Sequence, residues 1–148
     1  MSSRPHDKYV FQIHTDHFQF FLEDCDSITD TSNFWDEEAL NRLIDANFDV
    51  VSIGTQEFEE DIIVVLEISG KPQEELDGNS YFVDSSIVIH SGCVMVTAPE
   101  SDLSKVPQVN IEPGIYNVRV FFEQLDRKNN KQKPVYRILL WKDLTQKQ

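Results

Sequence analysis

The stretch Ile111-Glu112-Pro113-Gly114-Ile115-Tyr116-Asn117-Val118-Arg119-Val120-Phe121-Phe122-Glu123 carries the clearest structural signal in the chain. Tyr116, Val118, Val120 and Phe122 alternate with Asn117, Arg119, Phe121 and Glu123. A period of two places the first set on one side of an extended chain, which is the pattern of a half-buried strand. Pro113-Gly114 suits the two central positions of a type II turn. Ahead of it Val109 and Ile111 alternate with Asn110 and Glu112. Residues 107–123 therefore read as two strands folded back on each other.

The same period recurs outward in both directions. Val135–Trp141 forms a further strand after the basic loop Arg127–Lys133. Tyr81–His90 and Cys93–Ala98 flank Ser91-Gly92, a connection short enough for a tight hairpin. Phe48–Thr55 and Asp61–Ile68 flank Gln56–Glu60, which predicts a second hairpin with an acidic tip. Ile62–Leu66 is apolar on both strand faces, as in a centrally placed, fully covered strand. Tyr9–His14 and Phe18–Leu22 supply one or two strands near the start. Lys71–Asn79 reads as a long exposed loop.

One segment departs from this period. Trp35, Ala39, Leu40, Leu43 and Ile44 recur at spacings of three and four, which predicts an amphipathic helix. Ser32 or Asn33 can cap it, and Asp36, Glu37 and Glu38 stand where the helix dipole favours acids. The fold class expected is mainly β: a two-sheet antiparallel sandwich of eight or nine strands with one short α-helix. A chain of 148 residues is most simply one domain, 1–148, with an ordered core over about 9–142.

Composition narrows the function. The formal charge is −13, which opposes nucleic-acid binding through phosphate neutralisation and docking on anionic lipid. The longest aliphatic run, Ile62–Leu66, is far below the ~20 residues that span a bilayer. The N-terminus lacks the apolar core of a secretory signal. Cys25 and Cys93 are too few for a disulfide framework, so a cytoplasmic protein with two reduced thiols is expected.

Acid is unevenly distributed. Residues 1–75 contain 18 Asp and Glu against 4 Lys and Arg, whereas residues 76–148 contain 8 against 9. The acids crowd Asp24–Glu38 and Glu57–Asp61. Such segregation raises a local negative potential and steers cationic partners. The partner-binding set is therefore Asp24, Asp26, Asp30, Asp36, Glu37, Glu57, Glu59, Glu60 and Asp61, expected to lie near one another. Phe34 or Trp35 could add an apolar anchor, although Trp35 is more simply a core residue.

Signals for chemistry are weak. His14 and His17 bracket Thr15-Asp16, but on a strand their odd offset points them to opposite sides and no third metal ligand is evident. Asp24, Asp26 and Asp30 lack the glycine and terminal glutamate of an EF-hand loop. Cys25 lies between two aspartates that disfavour a thiolate. No nucleophile elbow, phosphate loop or dinucleotide fingerprint is present. No cofactor is expected.

Three stretches carry a resemblance. They are Phe34-Trp35-Asp36 leading to Val50-Val51-Ser52-Ile53-Gly54-Thr55, then Asp61–Ile68 followed by Pro72, and finally Ile111–Val120 with the closing Leu139-Leu140-Trp141. Their order resembles a broad group of small bacterial proteins and, more distantly, the competence-associated nuclease inhibitor family. The likeness covers residues 9–141 and its motifs are structural, so no site residue transfers. It implies a non-enzymatic protein of inhibitor or immunity type. Such a protein would cover a basic site on a protein partner such as a nuclease or toxin. Two rival readings stand beside it. One is a small-ligand or carbohydrate-binding sandwich using Tyr81, Tyr136 or Trp141. The other is a metal-assisted enzyme around His14, His17 and Asp24–Asp30.

Overall fold

A computed structural model of the chain describes residues 7–16, 18–27, 44–47, 49–55, 59–69, 82–99, 101–123 and 133–143. These residues form ten strands in two five-stranded sheets, the mainly-β sandwich expected. The first sheet runs β1 (Asp7–Thr15), β5 (Glu60–Ser69), β10 (Val135–Lys142), β9 (Gly114–Glu123) and β6 (Phe82–Ile89). The second runs β3 (Ile44–Asn47), β4 (Val50–Gly54), β2 (Gln19–Asp24), β7 (Cys93–Thr97) and β8 (Val109–Asn110). One pairing, β5 with β10, is parallel; the rest are antiparallel. The helix expected over Trp35–Ile44 lies outside the described residues except for Ile44, which belongs to β3.

The strands fall close to where the period of two puts them, but their partners differ. Three chain reversals expected to be hairpins instead carry the chain from one sheet to the other. β4 lies in the second sheet and β5 in the first; β6 and β7 are likewise divided, and so are β8 and β9. The corners at Gly92 and Pro113 then support each other. The Ile111 amide donates to the Gly92 carbonyl at 3.0 Å. Gly92 adopts φ +78°, a left-handed conformation that L side chains rarely hold. The Tyr116 hydroxyl donates to the Glu112 carbonyl at 2.6 Å, and Lys142 pairs with the Glu112 carboxylate at 2.7 Å. Turn residues reverse the chain, and facing apolar stripes decide whether the returning strand joins the same sheet.

Between the sheets lies one apolar core. Phe20, Leu22, Val51 and Ile53 meet Ile62, Val64, Leu66, Val118 and Val120 there, all fully buried. Tyr136 sits at its centre, edge-on to Phe20 at 5.2 Å and to Phe122 at 5.8 Å. Removal of such side chains from water is the main stabilising contribution, roughly 1.5–3 kcal/mol for each large apolar residue. Strands β4 and β7 are buried along their whole length. β5, by contrast, leaves Ile63 and Val65 half-buried.

The outer face of the first sheet is tied together by its own charges. Arg119 lies over the rings of Phe82 and Trp141 and pairs with Asp84. Arg137 lies over Phe121 and pairs with the buried Glu67. Among the described residues no helix is long and apolar enough to cross a membrane.

Candidate protein-binding surface

Two neighbouring features occupy one end of the sandwich. His14, near the end of β1, pairs in register with Asp61 at the start of β5. Its Nδ1 is 2.7 Å from Asp61 Oδ1, and its Nε2 is 3.0 Å from Glu59 Oε2. All three side chains are exposed. Hydrogen bonds to Glu59 and then to Asp61 raise the His14 pKa above its ordinary value and outweigh the opposing effect of desolvation. A protonated His14 thus cancels part of the charge that Glu59 and Asp61 present. Glu60, between them, is half-buried.

The second feature is the turn joining β1 to β2. Phe18 adopts φ +61° and leaves 51% of its surface exposed. For an aromatic residue that backbone region is unfavourable, and such positions cluster at functional sites. The Thr55 amide donates to the Phe18 carbonyl at 2.8 Å, and an Asp16–Gln19 bridge closes the turn. An exposed ring is thereby held at the end of the sandwich that carries Glu59 and Asp61. Phe34 and Trp35, the residues expected to supply an apolar anchor, lie outside the described residues. Phe18, expected to open a strand, stands instead in the turn before β2. The usable signal was the short polar run Thr15-Asp16-His17 immediately before it.

Asp24 and Asp26 lie elsewhere. β2 runs six residues from Gln19 to Asp24, about 20 Å at the usual rise per residue, so its two ends mark opposite ends of the sandwich. The expected convergence of Asp24 and Asp26 with Glu59–Asp61 does not occur. Asp24 is fully buried. Its Oδ2 accepts the amides of His90 at 2.7 Å and Ser91 at 3.0 Å, and its Oδ1 accepts the amide of Asp26 at 2.8 Å. Burial pushes its pKa up, but these donors outweigh it and hold the carboxyl below the ordinary range. Asp24 thus anchors the chain crossing after β6 and offers no carboxylate to a partner. His90 joins the same cluster through Asp49, 3.0 Å from its Nε2, and Ser27 donates to the other Asp49 oxygen.

Beside Asp24 the cysteines are joined. Cys25 and Cys93 form a disulfide with their Cα atoms 5.4 Å apart, so the expected reduced thiols are not observed. Spacing could not reveal this, because 68 residues separate the pair and only the β2–β7 ladder brings them together. Asp26 is exposed. Asp30, Asp36, Glu37 and Glu57 lie outside the described residues, as do His17 and Tyr81. Among the described residues no group of three or more His, Cys, Asp or Glu side chains could hold a metal ion. Of the proposed ligand aromatics, Tyr136 is buried in the core and Trp141 is half-buried beneath Arg119.

Two solved structures share this architecture. The chain resembles ComJ in fold. That protein, from Bacillus subtilis, is an inhibitor of the DNA-degrading activity of NucA. It matches with a TM-score of 0.76 at 13% identity over 95% of this chain and 100% of ComJ. The product of crocagin biosynthetic gene J matches with a TM-score of 0.65 at 14% identity, over 95% of this chain and 99% of the other. No family model and no curated protein matches the sequence. The likeness to ComJ agrees with the family resemblance drawn from the sequence, and at such identities it concerns the fold.

Proposed function

We propose that this chain is a non-enzymatic binding protein of inhibitor type whose partner is a basic protein, with a DNA-degrading nuclease as the leading class. The observation that carries this reading is the placement of the exposed Phe18 ring at the same end as the exposed Glu59 and Asp61 carboxylates. An aromatic anchor within a charged rim is a common arrangement for interface hot spots. A nuclease must hold phosphate in a cationic cleft, and carboxylates can occupy such a cleft in place of the nucleic acid. The fold shared with ComJ, itself a nuclease inhibitor, supports the same class.

The contact set within the described residues is Phe18, Glu59, Glu60 and Asp61, with Asp26 a separate exposed carboxylate at the far end. Pairing of Cys25 with Cys93 removes the ground on which a cytoplasmic setting was expected, since disulfides persist mainly in oxidising compartments.

The test is affinity capture from the source organism's extract with wild-type protein and with an F18A/E59Q/E60Q/D61N variant. Captured protein is identified by mass spectrometry and assayed for DNA degradation with and without added inhibitor. A basic nuclease retained by wild type, lost from the variant and inhibited in the assay is the expected result. Equal retention by both proteins would exclude this end as the contact.

A further inference from the structure

Strand β1 is the outer strand of the first sheet, and among the described residues nothing pairs with its other side. Which of its residues face that side follows from one hydrogen bond. The Ile63 amide donates to the Pro134 carbonyl at 2.9 Å, so the backbone of Ile63 points toward β10. Within an extended strand the N–H and C=O of one residue share a side, and successive residues alternate. Ile63 is opposite Gln12, making that a non-hydrogen-bonded pair. Gln12 therefore turns its N–H and C=O away from β5. By alternation so do Lys8, Val10 and His14.

A trough of about 430 Å³ follows this same edge. Its β1 wall is Val10–His14, and its opposite side is Val96 of β7 with the β7–β8 connection, where Val106 and Pro107 adjoin the polar Ser101, Asp102 and Lys105. Val10 is 61% exposed, an apolar side chain on a strand whose outer edge pairs with nothing among the described residues. The trough ends at His14, where Glu59 and Asp61 stand. Unpaired edges with pockets for alternate side chains are the means by which proteins capture extended peptides.

We propose that β1 and this trough take an extended segment of the protein partner as a sixth strand of the first sheet. Its alternate side chains would be apolar, entering the trough against Phe11, Ile13 and Val106. A Lys or Arg at the His14 end would meet Glu59 and Asp61. The occupant is a cationic segment and not a second copy of this chain. Each copy carries −13, so two copies repel, whereas the same charge attracts a cationic strand. Lys8 on the edge further opposes self-pairing, as edge lysines generally do. This inference rests on the partner-binding reading above and names the element of the partner that is held.

The probe is a random nonapeptide display library selected on the full chain and on V10P and V10P/Q12P variants. Proline at either position removes an outward amide and leaves the β5 ladder whole, a substitution edge strands tolerate. Q12P also removes the Gln12 Oε1 that accepts from Lys133, so V10P is the cleaner comparison. Unchanged near-ultraviolet circular dichroism verifies the fold of the variants. Wild type is expected to enrich peptides with alternating apolar residues and a Lys or Arg toward one end. The variants are expected to bind those peptides at least 10-fold more weakly. N-methylation of a selected peptide should abolish binding at one set of alternate residues and not at the other, a readout independent of the protein's fold.

No enrichment, an acidic consensus, or equal binding by the proline variants would overturn the proposal. So would a dimer in sedimentation that V10P dissolves, because it would assign the edge to a second copy. Should a basic partner be captured, lost on E59Q/E60Q/D61N but kept on V10P/Q12P, the edge proposal alone fails. Should peptides be selected as expected while no basic protein is captured, the inhibitor reading fails and the edge site stands.

Discussion

The Nδ1 of His14 and the Oδ1 of Asp61 are 2.7 Å apart, directly across the β1–β5 ladder. With Glu59 on its other nitrogen, the imidazole has a raised pKa. Below that pKa the cluster carries one negative charge fewer than above it. Association with a cationic partner should therefore accelerate as pH rises through the His14 titration. Stopped-flow on-rates between pH 5.5 and 8.5 should show this step, and H14Q should remove it. Stability responds in the opposite sense. A raised folded pKa contributes fully below the unfolded value of about 6.5 and is lost as pH rises through the folded pKa.

Salt should weaken the encounter. The Debye length shortens from ~10 Å at 0.1 M to ~3 Å at 1 M, which screens exposed charges such as Glu59 and Asp61. The on-rate for the captured partner should fall steeply over that range while the off-rate changes little. E59Q/E60Q/D61N should lower the low-salt on-rate by about 10-fold, within the range attributed to electrostatic steering. It should also flatten the salt dependence. An on-rate indifferent to salt would remove steering from the mechanism.

Strand positions were legible because β9 and β10 alternate cleanly: Tyr116, Val118 and Val120 point inward, as do Tyr136, Ile138 and Leu140. Pairing was not legible. Ser91-Gly92 and Pro113-Gly114 reverse the chain equally well within a sheet or between sheets, and the choice depends on stripes distant in sequence. Asp24 shows the same limit at the site. Its neighbours Asp26 and Glu23 suggest a solvated acidic loop, yet the amides that bury it belong to His90 and Ser91, 66 and 67 residues away. Exposure of Glu59 and Asp61 was legible because a strand start needs no distant contact to remain exposed. Exposure of Phe18 was not legible, because hydrophobicity alone argues for burial.

Asp24 makes a stability prediction. Hydrogen bonds to a charged acceptor contribute roughly 1.5–3 kcal/mol, and Asp24→Ala leaves three amides without theirs, so the loss should be about 3 kcal/mol. Asp24→Asn keeps one acceptor oxygen and should lose less, about 2 kcal/mol on the same scale. Urea unfolding at pH 7 measures both. Since the folded pKa is depressed, this contribution is present above the unfolded value of about 3.9. It is lost as pH falls through the folded pKa. The Asn variant should therefore show a shallower acid limb than wild type.

The Cys25–Cys93 link adjoins Asp24, at the end of β2 away from Phe18 and Glu59. Closing a loop across 68 residues restricts the unfolded chain, and the loop-entropy relation gives about 4 kcal/mol for that length. C25S/C93S should therefore lower the unfolding free energy by roughly 2–4 kcal/mol, read from urea denaturation without reductant. Dithiothreitol should produce the same shift in wild type and none in the variant. The distance between the ends separates this effect from binding. At temperatures where the variant remains folded, its on-rate for a basic partner should match wild type, because Phe18, Glu59 and Asp61 lie about 20 Å away along β2. A binding loss at full folding would instead show that the disulfide end takes part in the contact, and Asp26, exposed beside Cys25, would be the residue to neutralise next.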